Sequence, residues 1–183
     1  MLPEKELTRL SKFMSLVLRH QPEAINLVLD ENGWASVDEL LMKLQAKGFV
    51  IDNAILHHVV ANNNKQRFTF NEDQTKIRAN QGHSIPVDLD LKESVPPSFL
   101  YHGTAEKNIP AILQHGLLKQ SRQHVHLSVD IETAVKVGQR HGKPVVLHVP
   151  AKQMQEVGYH FYVSANGVWL TDHVPPKYLM LVH

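Results

Sequence analysis

Leu7, Leu10, Met14 and Val17 recur every three or four positions, the period of one face of an α-helix. The pattern predicts a helix over 5–18 that ends near Gln21, because Pro22 has no backbone N–H and its ring blocks the preceding turn. Leu27 and Leu29 precede Asp30-Glu31-Asn32-Gly33 and Trp34, a tight-turn composition. Ser36-Val37-Asp38-Glu39 has capping-box spacing and opens a second helix, which runs to Lys47 and stops at Gly48. Asp52 is placed to cap a third helix, with Ile55, Leu56, Val59 and Val60 as its apolar face and Asn62-Asn63-Asn64 as its end. The period then drops to two. In Lys65-Gln66-Arg67-Phe68-Thr69-Phe70, Arg67 and Thr69 alternate with two phenylalanines. Asn71-Glu72-Asp73-Gln74 reads as a hairpin turn, and the returning strand carries Arg78. Arg67 and Arg78 then lie on adjacent strands and can face the same way. Three helices and a hairpin make a winged-helix pattern, which often meets nucleic acid, by analogy of fold alone.

Residues 85–97 read as a connector: Pro86, Pro96 and Pro97 bracket an alternating Val87-Asp88-Leu89-Asp90-Leu91. The remainder is richer in β signals. A strand over Phe99-Leu100-Tyr101-His102 is expected to end at Gly103-Thr104. A short helix follows from Ile109 to His115, with Pro110 in its first turn and Gly116 after it. Strands are expected over Val125–Val129 and Val145–Val149, with a helix between them capped by Asp130 and running to about Arg140. Asn166-Gly167 is a strong hairpin signal between Tyr159–Ser164 and Val168–Val174, and Tyr178–Val182 reads as a final strand. The fold class is therefore α+β, with units at 1–84 and 98–183.

Composition narrows the function. The chain is 183 residues, 43% hydrophobic and 20% charged, ordinary for a globular protein, and has no apolar run long enough to span a bilayer. Met1-Leu2-Pro3-Glu4-Lys5-Glu6 lacks the apolar core of a signal peptide, so the expected location is cytoplasmic. The absence of cysteine removes disulfides, thiolate chemistry and Cys-zinc sites. Residues 1–84 hold ten basic and ten acidic side chains, and the whole chain carries a net charge of +1. Non-specific nucleic-acid affinity scales with the phosphates neutralised, so phosphate recognition here must come from local clusters. Thirteen histidines are many for this length, and most are expected to be structural or exposed.

Three stretches carry candidate chemistry. Lys76-Ile77-Arg78-Ala79-Asn80-Gln81-Gly82-His83-Ser84 concentrates anion-binding groups around a glycine that lets the backbone approach a ligand. An ordinary surface hairpin with solvated cations explains it equally well. Arg19 and His20 end the first helix, either as cations complementing its C-terminus or as a pair projecting into a cleft. Tyr101-His102-Gly103-Thr104 delivers a His and a Thr around a Gly, and Arg122, His126 and Ser128 cluster near another strand. His124 and His126 share a strand face, but no third ligand is spaced to complete a metal site, so no metal is expected. There is neither a Rossmann fingerprint nor a P-loop.

At these residues the chain resembles the RNA 2′-phosphotransferase family, enzymes that remove a splice-junction 2′-phosphate from tRNA using NAD. The resemblance is carried by Leu18-Arg19-His20 with Pro22, Gly33-Trp34, Lys65-Gln66-Arg67-Phe68, Arg78-Ala79-Asn80-Gln81-Gly82-His83-Ser84, Tyr101-His102-Gly103-Thr104, Val125-His126-Leu127-Ser128 and Gly167-Val168-Trp169-Leu170. It covers nearly the whole chain. It implies a winged-helix RNA lobe followed by a β-rich lobe of the ADP-ribosyltransferase fold. It also implies a catalytic set of Arg19, His20, Arg67 and Arg122. NAD would be held by Tyr101, His102, Gly103, Thr104, His126, Leu127, Ser128 and Val168, and RNA phosphate by Lys65, Arg78, Gln81, His83 and Ser84. The implied reaction passes through an ADP-ribosylated 2′-phospho-RNA. It releases nicotinamide, 2′-hydroxyl RNA and ADP-ribose 1″,2″-cyclic phosphate. The expected partners are NAD and a 2′-phosphorylated, tRNA-like RNA, with no membrane, and the expected state is a monomer.

Two other readings differ in class. An ADP-ribosyltransferase acting on protein or nucleic-acid phosphates would want an acidic residue where Val168 stands. An NAD-responsive winged-helix regulator would want a basic recognition helix, yet residues 52–64 contain neither Lys nor Arg.

Overall fold

The computed structural model describes residues 2–182 and divides into two compact units, Met1–Asp90 and Leu91–His183. It is a mixed α/β architecture of short antiparallel sheets and, among the described residues, six α-helices. No helix among these residues is long and apolar enough to cross a membrane.

The first unit is built on helix α1, Glu4–Arg19. Leu10, Met14, Val17 and Leu18 are buried on its apolar face, while Leu7 is only partly covered. The helix stops at His20, whose N–H still reaches the Leu16 carbonyl; Gln21 turns out of the axis ahead of Pro22. Strand β1 (Ala35–Ser36) and helix α2 (Val37–Ala46) follow the Asp30–Trp34 turn, and α3 spans Asn53–Ala61. Asp52 caps α3 through the Ile55 N–H, and Ser36 caps α2 through the Glu39 N–H. The returning half of the expected capping box is turned elsewhere: the Glu39 carboxylate accepts from the Val28 N–H and pairs with Lys43. Strands β2 (Phe68–Phe70) and β3 (Lys76–Ala79) form the hairpin, with Thr69 opposite Arg78. β1 adds to the other edge of β3, an extra strand too short to leave a period in the sequence.

The second unit is organised on β4 (Leu100–Ala105) and β7 (Pro144–Val149), paired over their whole length. β11 (Met180–Leu181) flanks β7. A second sheet runs β6 (Val125–Leu127), β9 (Trp169–Thr171), β8 (Phe161–Val163), with the Asn166-Gly167 turn between β8 and β9. A small ladder pairs β5 (Leu117–Leu118) with β10 (His173–Val174). Helices α4 (Ile109–His115) and α5 (Ile131–Gln139) lie where the sequence places them. Helix α6, Ala151–Glu156, has no counterpart in the sequence reading; it is short, and Ala151 and Met154 alone are buried.

One expectation is corrected. β4 does not end at Gly103-Thr104 but runs through both to Ala105. A side chain at Gly103 would put its Cβ 1.6 Å from the Ala134 carbonyl oxygen of α5, and one at Gly138 would lie 2.7 Å from the Thr104 oxygen. The glycines therefore bring α5 onto the strand and keep it straight. The stretch 85–97 carries bonds within each unit. Asp88 N–H donates to the Glu31 carbonyl and its own carbonyl accepts from Asn32, whereas Ser94 N–H donates to Phe161.

Candidate active site

In the first unit the end of α1 holds the 81–84 segment by three bonds. Arg19 Nε donates to the Gln81 carbonyl at 2.9 Å, the Ser84 N–H donates to the Arg19 carbonyl at 3.0 Å, and His20 Nδ1 lies 2.8 Å from Ser84 Oγ. Arg19 and His20 are thus fixed by the stretch that the sequence marks as anion-binding. On the hairpin side, Gln66 adopts a left-handed conformation (φ 45°). Asn63 Oδ1 accepts from the backbone N–H groups of Lys65 and Arg67, and Asn63 Nδ2 donates to Ser11 of α1. Asn80 N–H donates to the Arg67 carbonyl and its side-chain amide to the Gln66 carbonyl. The outcome is an open groove of about 600 Å³ lined by Ser11, Lys12, Ser15, Arg19, Lys65 and Arg67, with Glu4 at its edge.

Arg78 does not line that groove. Its guanidinium sits 4.3 Å over the Trp34 ring and Nη1 donates to the Asn32 carbonyl, so stacking and a hydrogen bond offset part of the cost of burying the charge. Burial pushes its pKa down. His83 departs further from the expected phosphate contact. It is 1% exposed, its Nε2 would be 3.4 Å from a Cβ on Gly33, and neither ring nitrogen has a protein partner. Burial, and then the charges of Arg19, His20 and Arg78, pull its pKa down to about 4, so the ring is neutral at pH 7. A sealed neutral imidazole shapes the floor under Arg19 and His20 and presents no cation to a phosphate. Arg78 Nε, Asn80 Oδ1 and Gln81 Oε1 are likewise buried without partners, which concentrates unsatisfied polar atoms in this one segment.

In the second unit, β4 and β6 meet through Tyr101 and Ser128, whose backbones exchange bonds of 2.9 and 2.7 Å. His102 Nδ1 lies 3.0 Å from the His126 carbonyl, a contact that fixes its tautomer with Nδ1 protonated. Burial lowers the His102 pKa, and this hydrogen bond opposes the shift. Carrying the β6–β9 register one step beyond Leu127↔Trp169 brings Val168 level with Ser128. Tyr101, His102, His126, Ser128 and Val168 are therefore grouped. Leu127 is 1% exposed in the core and can offer only its backbone. Gly103 has its open side filled by α5, and Thr104 is 5% exposed with its hydroxyl accepting from Asn108. Arg122 lies in the turn before β6, its N–H bonded to the Lys119 carbonyl. Among the described residues no three His, Asp or Glu side chains gather as a metal site.

Asn63 organises the first unit's groove without appearing among the expected site residues, and Trp34, quoted above only beside Gly33, takes up Arg78 outside the groove. Asn63 had a local signal, an Asn two and four residues ahead of the backbone amides that it caps. Trp34 had none, because its contact with Arg78 spans 44 positions.

Guanidinium, ammonium, amide and hydroxyl groups around an open groove are groups suited to phosphate, and the family that the sequence matches makes the protein a transferase. The chain belongs to the RNA 2′-phosphotransferase, Tpt1 / KptA family, which it matches over residues 5–173. It is 58% identical over 175 residues to a protein of Trichormus variabilis, covering 96% of each chain. It is 59% identical over 170 residues to one of Flavobacterium johnsoniae, covering 93% of each. A protein of Fusobacterium nucleatum is 56% identical over 172 residues, which is 93% of this chain and 96% of that one. All three carry the name "Probable RNA 2'-phosphotransferase".

Proposed function

We propose that this protein removes an internal 2′-phosphate from RNA by transferring it to NAD. The observation that carries the reading is the shared groove of Arg19 and Arg67, with His20 tied to Ser84 at its end, in a chain of this family. We assign the first unit the role of a winged-helix RNA lobe and the second that of an ADP-ribosyltransferase-like NAD lobe.

NAD supplies an electrophilic ribose carbon with nicotinamide as leaving group, and a 2″-hydroxyl that completes the transfer. The rest falls to the chain's own residues. Arg19 and Arg67 hold the RNA 2′-phosphate through planar donors suited to its oxygens, with Lys65 beside them. His20 is positioned by Ser84 to pass a proton to or from the phosphate. Arg122 stabilises charge that grows on the non-bridging oxygens. The second unit's donor set fits a dinucleotide at Tyr101, His102, His126 and Ser128, which β4 and β6 present together. The packed side chains of Leu127 and Thr104 fit it poorly. Val168 offers no carboxylate to activate a ribose hydroxyl, so the phosphate must do the nucleophile's work, which favours RNA phosphate over protein as acceptor.

The test is incubation with a 2′-phosphorylated oligonucleotide and NAD. The expected products are 2′-hydroxyl RNA, nicotinamide and ADP-ribose 1″,2″-cyclic phosphate in equal amounts. Release of inorganic phosphate without NAD consumption would refute the reading.

A further inference from the structure

A second hollow, of about 450 Å³, opens on the first unit and is lined by Arg9, Lys12, Phe13, Leu16, Lys47 and Phe49. No acidic side chain lines it. Its floor is an aromatic pair, Phe13 and Phe49, with ring centroids 4.9 Å apart and planes inclined by 32°. The Arg9 guanidinium carbon lies 4.6 Å from the Phe49 centroid, and its ion pair with Glu6 is exposed on both sides and therefore weak. Both rings are only partly buried, so each keeps a face open to the hollow. The hollow adjoins the groove of Arg19 and Arg67 at Lys12, which lines both. Arg9, Lys12, Leu16 and Arg19 follow one another at helical spacings of three and four along one face of α1. Arg9 and Arg19 are ten residues apart, or about 15 Å along the axis, a reach of a few nucleotides.

We propose that this hollow is a stacking platform for the RNA strand that flanks the 2′-phosphate, with a base on Phe13 and Phe49 and backbone phosphates on Arg9, Lys12 and Lys47. Aromatic faces interleaved with cations are the means by which single strands are held without base readout, and every base has a face to stack. The inference rests on the RNA-phosphate reading above and adds the substrate's footprint to it. It predicts a preference for flanking single-stranded RNA over an isolated 2′-phosphate.

Two substrates separate the possibilities: a 2′-phosphorylated dinucleotide, and a longer single-stranded RNA with the same unit at its centre. Arg9→Ala with Lys47→Ala removes two cations, and Phe49→Leu removes a ring while keeping apolar packing. Each variant should raise KM for the long RNA by about tenfold and leave KM for the dinucleotide and kcat for both unchanged. In the double variant, the slope of log affinity against log salt should fall by about 1.4, roughly 0.7 for each phosphate that is no longer neutralised. Fluorescence anisotropy of the labelled long RNA reads that slope without turnover. Loss of the long RNA's advantage in anisotropy therefore supports the platform even if NAD-dependent transfer fails. Equal effects on both RNAs, or an unchanged slope with wild-type KM values, overturn the platform and leave the transferase reading standing.

Discussion

His83 keeps its ring neutral in the folded chain down to about pH 4, whereas an unfolded histidine takes up its proton near pH 6.5. Between those values the unfolded state binds more protons, so the stability that a neutral His83 contributes is complete above pH 6.5. It is lost as the pH falls toward 4. Lowering the pH from 8 to 5 should cost the first unit about 2 kcal/mol through this residue alone. Denaturant unfolding followed by Trp34 fluorescence in a Trp169→Phe background measures it, and His83→Gln should flatten that slope. The same scale separates Arg122 from the other arginines. In the proposed first step the phosphate is the nucleophile, and tight guanidinium contacts would blunt it. In the second, phosphorus is the electrophile and charge grows on its oxygens, where an arginine helps most. Arg122→Ala should slow that step about a hundredfold and accumulate ADP-ribosylated RNA. A rapid-quench time course with labelled 2′-phospho-RNA checks it: equal slowing of both steps with no intermediate would rule out this division. The placement of Arg19 and His20 at the end of the first helix was legible from the Pro22 stop, and that of Arg67 beside the hairpin from the alternating run. The burial of His83 and the diversion of Arg78 to Trp34 were not, since both depend on partners distant in sequence.

Among the elements, helices with a clear apolar period or a side-chain cap were readable. α1, α2, α3 and α5 fall within a residue or two of where period and cap place them. What escaped is short or held by others. β1 and β5 have two residues each and exist through their partner strands, and α6 has six. Gly103 was legible as special, and the structure gives it a packing reason that the sequence did not show. Its space belongs to the α5 backbone, so Gly103→Ala should destabilise the second unit by about 3 kcal/mol, because an Ala134 carbonyl cannot rotate away as a side chain could. Thermal unfolding followed by Trp169 fluorescence measures this, and Gly138→Ala should behave alike, its Cβ also meeting backbone. An alanine at Gly158, where no atom lies within 4 Å, meets no such clash, although the positive φ there still carries a backbone cost.

For the molecule as a whole, a net charge of +1 keeps general polyanion affinity low and leaves recognition to the arginine and lysine groups of the first unit. The proposed reaction draws all its charge stabilisation from guanidinium and imidazole groups. Turnover should therefore persist after exhaustive treatment with EDTA; inactivation by the chelator and recovery with added divalent ion would count against it. In the sequence, a stretch of helices and a hairpin stands before the 86–97 segment and a β-rich pattern after it. The structure divides inside that segment, after Asp90, where no change of side-chain pattern marks the place. The packing of α5 onto β4 also bears on how variant libraries of this protein are read. Gly103 stands inside the Tyr101-His102-Gly103-Thr104 run, so nearly every substitution there will score as a loss of activity beside Tyr101 and His102, which are proposed to hold NAD. Such a score would reflect how many molecules survive in the cell, and each survivor would turn over at the normal rate. Only a library scored twice, once for abundance and once for product, would tell the strand's scaffold positions from its working ones.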